Sequence, residues 1–232
     1  MTNVLTVDLE EWFVVEIFAG RIDPSEWESL PSRVEHSGYL ILEALEERKT
    51  RATFFVLGWV AERHPGLIKD IAHAGHEIAC HSYWHRRVDL LTPEVFREDT
   101  ARALEVIERA AGVRPRGYRA PSWSINSDAV WALDILADLG FQYDSSVFPV
   151  KHDIYGDVKA PQRLAKLNLS NGRSILEFPA STVRLFGRNL PVAGGGYLRH
   201  SPYWYSSMMI RRLNREGHPA MVYVHPWEFD TS

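Results

Sequence analysis

The chain predicts an α/β fold: a single-domain incomplete or distorted (β/α) barrel of about seven strands over residues 1–232. Three observations carry this expectation. Strand-like and helix-like stretches alternate for most of the length, which argues for parallel strands joined by right-handed crossovers. Residues 52–57, Ala-Thr-Phe-Phe-Val-Leu, are apolar without alternation, as befits a strand buried on both faces. The length of 232 residues suits one barrel-sized core, and no repeat, low-complexity run or linker divides it.

Residues 3–9 are β-rich and lead into Asp8, Glu10 and Glu11. Ser32-Arg-Val-Glu35 reads as a capping box opening a helix whose Tyr39, Leu42 and Leu45 recur at helical spacing. A second helix is expected over 65–74, closed by Gly75, before a strand at 76–81. Thr92-Pro93-Glu94 places cap, proline and acid in their favoured order for the longest helix, which runs to Gly112. A short strand at 116–119, a helix from Asn126 to Leu139 ended by Gly140, and a strand at 141–143 follow. Residues 144–172 read as irregular, then strands near 174–178 and 182–186 precede a loop at Gly194-Gly195-Gly196. Ser201-Pro202 opens a last helix to about Gly217, and 220–225 is the last strand.

Composition narrows the function. Apolar content of 45% with 24% charged residues fits a globular protein, and a net charge of −4 offers no footprint for nucleic acid. The arginines at 211–215 read as a solvated helix face. No run reaches transmembrane length. The first residues lack the basic start and apolar run of a signal peptide, which leads us to expect a cytoplasmic protein. The chain stops seven residues past His225, so a further C-terminal piece is expected. The one cysteine, Cys80, lies in an apolar strand and reads as a small buried residue. Trp12, Trp84, Trp123 and Trp227 stand beside polar residues, a placement that suits a cleft stacking on sugar rings.

The residues at strand ends carry the chemistry, because function in a barrel collects where strands give way to loops. The strand at 76–81 ends in His81, with His85 four residues on; Ser82 between them can tighten the turn by bonding to backbone. With ten histidines, chance supplies about 0.4 such pairs, so the spacing alone decides nothing. Its company does: Asp8 and Glu10 end the first strand, Arg119 and Pro121 follow the strand at 116–119, and His225 ends the last. Singly, these read as a polar strand end, an ion pair and a structural histidine. Together, two imidazoles and one or two carboxylates make a catalytic metal set, most readily for zinc. A carboxylate beside the metal can take a proton from water, an arginine can keep it ionised, and a protonated histidine can serve a leaving amine.

His81-Ser-Tyr-Trp-His85, Arg119-Ala-Pro-Ser-Trp123, Thr6-Val-Asp8 and Val224-His225 resemble the signature blocks of the polysaccharide deacetylases, the chitooligosaccharide deacetylase-like carbohydrate esterases. The blocks stand in the family's order across residues 6–225. Thr-Val-Asp-Leu-Glu-Glu-Trp, Gly-Gly-Gly-Tyr-Leu-Arg and His-Pro-Trp-Glu-Phe-Asp are similar to the branch associated with bacterial exopolysaccharide loci. The resemblance implies an incomplete barrel, a divalent metal, usually Zn2+, and hydrolysis of N-acetyl groups from the amino sugars of a poly- or oligosaccharide. It makes His81 and His85 metal ligands, Asp8 the base, Arg119 its orienting partner, His225 the acid, and the Ser122 N–H a donor to the oxyanion. Two positions depart from the pattern. Position 9 is Leu where relatives have a second Asp; Asp8 and Glu10 share a strand face, so Glu10 becomes the carboxylate ligand, with Asp8 the other candidate. Tyr223 replaces a usual Leu, so a narrower or more polar acetyl pocket is expected, while Asp144-Ser-Ser-Val-Phe matches the family's fourth block only loosely. Two alternative readings keep the fold: a hydrolase of small cyclic amides or imides, and a non-catalytic carbohydrate-binding relative.

Overall fold

The computed structural model describes residues 2–152, 156–192 and 194–230. Strands β1 (Val4–Leu9), β2 (Thr53–Val56), β3 (Glu77–Cys80), β4 (Gly117–Tyr118) and β5 (Tyr143–Asp144) are laid down in order and paired in parallel. Beyond them β6 (Ala165–Asn168) lies antiparallel on β7 (Ser174–Glu177), and β7 pairs in parallel with β5. β8 (Thr182–Leu185) and β9 (Arg188–Pro191) form a separate hairpin, and β10 (Met221–Val224) returns to pair in parallel with β1. The eight-stranded sheet runs β10-β1-β2-β3-β4-β5-β7-β6, and among the described residues its outer strands do not pair with each other. The result is a curled, incomplete barrel with seven parallel strands and one antiparallel edge.

The helices lie in the crossovers: α1 (Val34–Glu47) after β1, α2 (Gly58–Arg63) and α3 (Pro65–His73) after β2, α4 (Pro93–Ala111) after β3, and α5 (Trp131–Asp138) after β4. α6 (Gly195–His200) and α7 (Tyr203–Arg215) precede β10. α4 has the start its sequence calls for: Thr92 Oγ1 accepts the Val95 N–H, Pro93 opens the first turn, and Gly112 ends it at φ 70°. β2 is buried along its whole length, and Phe54, Val56, Leu57, Val60, Leu67, Ile71, Ile107 and Leu136 meet in one core between sheet and helices. Among the described residues, no helix is long and apolar enough to cross a membrane.

Five expectations change. The capping box at Ser32 does not form: the N-cap is Arg33, and the Ser32 hydroxyl donates instead to Glu11, whose other oxygen takes the Arg33 N–H at 3.0 Å. A buried carboxylate thus does the work assigned to the box. The strand expected at 182–186 belongs to the hairpin and not to the barrel, and 144–172, whose residues 153–155 lie outside the described residues, contains β6. The expected helix at 126–139 begins only at Trp131, because the Asn126 side chain caps a preceding turn at the Asp128 N–H, 2.9 Å. The glycine triplet is not a free loop. It opens α6, and a Cβ on Gly194 would fall 2.0 Å from the Tyr223 ring.

Candidate active site

Each strand that reaches the cavity hands over a polar residue immediately after its last residue. Glu10 follows β1, His81 follows β3, Arg119 follows β4 and His225 follows β10, while Asp8 lies in β1 on the same face as Glu10. The structure brings all of them to one mouth. With Ser122, Trp123, Tyr223 and Trp227, they line a cavity of about 300 Å³, except Arg119, which lies beneath it. Trp12 is not in the cleft: it packs against Phe13 and Phe18, and its indole N–H donates to the Pro31 carbonyl.

Glu10, His81 and His85 offer ligand atoms that all lie within 4.8 Å of one another. Glu10 Oε2 stands 3.2 Å from His81 Nε2 and 2.7 Å from His85 Nε2. The His81 Nδ1–H donates to the Arg119 carbonyl at 2.8 Å, which fixes the tautomer and leaves the Nε2 lone pair facing the carboxylate. Two acceptors pointed at each other in a dry pocket call for a cation between them. Glu10 Oε2 is accordingly a buried atom with no hydrogen-bond donor of its own. The alternative to a metal is a proton: with His85 and His81 protonated, their charge and hydrogen bonds outweigh burial and hold the Glu10 carboxyl far below the usual carboxylate range. Two imidazoles and a carboxylate in this arrangement fit a divalent metal.

The turn carrying the histidines is held from two sides. Ser82 Oγ accepts the His85 N–H at 3.2 Å, and Asp99 on α4 accepts the N–H groups of Tyr83 at 2.8 Å and Trp84 at 3.2 Å. Backbone strain gathers here as well: Ser82 and His85, and across the cavity Ser122 and Trp123, are non-glycine residues at φ between 53° and 63°.

Asp8 and Arg119 form the second cluster. Arg119 Nη1 donates to Asp8 Oδ1 at 2.5 Å and to Thr6 Oγ1 at 2.9 Å; Nε and Nη2 donate to Ser145 O and Oγ at 3.1 and 3.0 Å. The guanidinium lies over the Phe55 ring at 3.9 Å, 1% exposed. One oxygen of Asp8 is therefore committed, and the other, Oδ2, faces His225 Nε2 at 4.0 Å. His225 stacks on Trp227 with centroids 4.5 Å apart, its N–H donates to Glu228 Oε2 at 3.0 Å, and its Nδ1 lies 3.7 Å from Glu228 Oε1. Burial lowers its pKa, but the Glu228 contact and the charges of Glu10 and Asp8 outweigh that and raise it above the ordinary imidazole value. Cys80 is fully buried in β3 and takes no part.

Sequence reasoning missed two residues here. Asp99 had a signal: an acid among Phe96, Thr100 and Ala103 on the apolar face of α4. Glu228 had a weaker one, three residues past a strand-end histidine.

Comparison with known proteins places this geometry. Residues 37–143, which include His81, His85, Arg119 and Ser122, match the family model described as polysaccharide deacetylase; residues 145–232 match a domain of unknown function, DUF3473. A peptidoglycan-N-acetylglucosamine deacetylase of Bacillus cereus is 34% identical over 95 residues, 40% of this chain and 34% of that protein, so the match spans about a third of the relative. A solved Mycobacterium smegmatis protein assigned to the polysaccharide deacetylases is 25% identical with a TM-score of 0.65, over 97% of this chain and 78% of that one. The structure of PuuE allantoinase, 20% identical over 97% of this chain and 77% of that one, shares the fold with a TM-score of 0.63. Strand-end histidines and curled barrel thus stand in a chain whose residues 37–143 match the polysaccharide deacetylase family, and whose fold is that of a solved protein assigned to it.

Proposed function

We propose that the chain is a metal-dependent hydrolase that removes N-acetyl groups from the amino sugars of a poly- or oligosaccharide of the exopolysaccharide type. One observation carries the reading: a buried Glu10–His81–His85 cluster faces the same cavity as an arginine-held Asp8 and a carboxylate-backed His225. Glu10, His81 and His85 hold the ion, most readily Zn2+. When bound, it supplies a Lewis acid that polarises the acetyl carbonyl and brings the pKa of water down to about 7.

The protein's own groups do the rest. Asp8 Oδ2, the oxygen that Arg119 leaves free, takes the proton from the attacking water. The Ser122 N–H, on a left-handed turn lining the cavity, donates to the developing oxyanion. His225, whose acidic neighbours favour its protonated form, gives its proton to the departing nitrogen, so that the C–N bond breaks to amine and acetate. Tyr223 and Trp227 wall the cavity where the acetyl group and sugar ring must lie.

Acetate release from N-acetylglucosamine oligomers, with and without chelator, tests the reading. His81→Ala should lose bound metal and acetate release together. Ring opening of a small cyclic amide with no acetate from any oligomer would hand the site to the other amide chemistry.

A further inference from the structure

We propose that a second cavity beside the active site receives an acidic unit of the same saccharide chain; this rests on the deacetylase reading and names its substrate as an anionic glycan. The cavity, about 650 Å³, opens between the β8–β9 hairpin and the segment after β5. Lys151, Arg184 and Arg188 line it, with Gln162 and Asn189 beside them, and no carboxylate lines it among the described residues. Elsewhere arginines find acids: Arg63 pairs with Glu28, Arg97 with Asp138 and Arg114 with Glu108. Lys151, Arg184 and Arg188 enter no ion pair among the described residues, although the chain as a whole is acidic at −4. Three cations around one hollow, with no ion-pair partner among the described residues, leave a local positive field there.

The hollow is joined to the active site. Gly195 and Gly196 line the first cavity and Tyr197, the next residue of α6, lines the second. Aromatic rings mark the path between them: Trp123 in the first cavity lies 5.5 Å from Phe148, and Phe148 lies 6.1 Å from Tyr197. The charges are segregated along this path. Asp8, Glu10, Glu16 and Glu228 outnumber Arg199 in the lining of the first cavity, where Arg199 Nε lies 3.5 Å from Glu228, while Lys151, Arg184 and Arg188 are the charged residues lining the second. An acidic sugar is drawn to the second, which sets the neighbouring N-acetyl unit over the reacting groups. Amides beside the cations suit sugar hydroxyls. Three cations make too short a footprint for nucleic acid.

The test uses a fluorescent hyaluronan hexasaccharide, alternating N-acetylglucosamine and glucuronate, whose carboxylates survive any deacetylation, against a labelled neutral N-acetylglucosamine hexamer. Polarisation with the full, metal-loaded chain should show tighter binding of the acidic probe, weakening with salt. Arg184→Gln with Arg188→Gln should weaken it by about tenfold or more, and the acidic-to-neutral ratio of kcat/KM should fall in parallel. Absence of acetate from both oligomers, with charge-dependent binding retained, would remove the deacetylase reading and leave the site. Equal affinity of wild type and double variant for the acidic probe overturns the proposal. So does equally tight, equally arginine-dependent binding of polyphosphate or anionic vesicles.

Discussion

Arg119 is the residue on which the proposed catalytic arrangement turns, because its guanidinium fixes two things and its backbone carbonyl a third. Its fork commits one oxygen of Asp8, ties β1 to the Ser145 turn, and its carbonyl takes the His81 Nδ1 proton that aims Nε2 at Glu10. Lysine would keep the charge but not the planar fork. Arg119→Lys should therefore fold and lower kcat/KM for acetate release by about a hundredfold, the scale of a misplaced general base. Loss of less than about threefold would show that Asp8 needs no such partner. The sign of the His225 effect can be worked out too. A raised pKa keeps the acid form present to higher pH, and activity that depends on it falls as pH rises through that value. Glu228→Gln removes the carboxylate that most favours the protonated ring, so the alkaline limb of the kcat/KM profile should move to lower pH. An unmoved limb would assign that limb to another group.

The elements that position these residues differ in how far their own sequences announce them. β2, α3 and α4 carry local signals that the structure follows: a continuous apolar run, Pro65 at a first turn, and Thr92 with Gly112 as caps. α2 carries none. It has six residues, a glycine start and no side-chain cap, and forms because the Gly58 N–H donates to the Ser82 carbonyl at 2.8 Å beneath the site. Its cause is tertiary, so no periodicity could reveal it. The site histidines were legible from spacing and family likeness, but the support of their turn was not, since Asp99 reaches it from sixteen residues away. Asp99→Ala leaves the Tyr83 and Trp84 N–H groups without their acceptor. It should cost about 1–3 kcal/mol in unfolding free energy and about ten- to a hundredfold in metal affinity, measured against a chromophoric chelator. The glycine triplet shows the converse case, a motif visible in the sequence whose reason is not. Gly194 lies at φ 144° with the Tyr223 ring where a Cβ would stand. Gly194→Ala should push that ring out of place, lower the melting temperature by the equivalent of about 1–3 kcal/mol and depress kcat, while the same change at exposed Gly66, with open space around its Cβ position, should not.

At the scale of the whole molecule, the two family matches meet at residue 144, yet the sheet runs through that point: β5 and β7 are partners, with Asp144 directly opposite Glu177. β10 from the second match pairs with β1, which precedes the first. We infer that the chain folds as one unit, and that thermal or denaturant unfolding followed by near- and far-ultraviolet dichroism gives one coincident transition. The buried carboxyl pair at the join adds a sharper expectation. Burial, with Asp144 beside it, raises the Glu177 carboxyl well above its ordinary value, and burial also raises Asp144. The pair is held by its neighbours: Asp144 takes the Ser146 hydroxyl at 2.5 Å, Glu177 takes the Val147 N–H at 3.2 Å, and Ser146 Oγ accepts the Ala120 N–H at 2.7 Å beside the active-site loop. In the folded protein the pair keeps a proton that the unfolded chain has lost above about pH 4.3. The resulting stability is fully present below that pH and is lost as pH rises toward the raised folded value, by up to about 1.4 kcal/mol per pH unit for one proton. Glu177→Gln carries its hydrogen without a titration, so its stability should be flatter with pH across that window. Chemical denaturation of wild type and variant at a series of pH values measures the two slopes, and equal slopes would mean that the join holds no proton of its own.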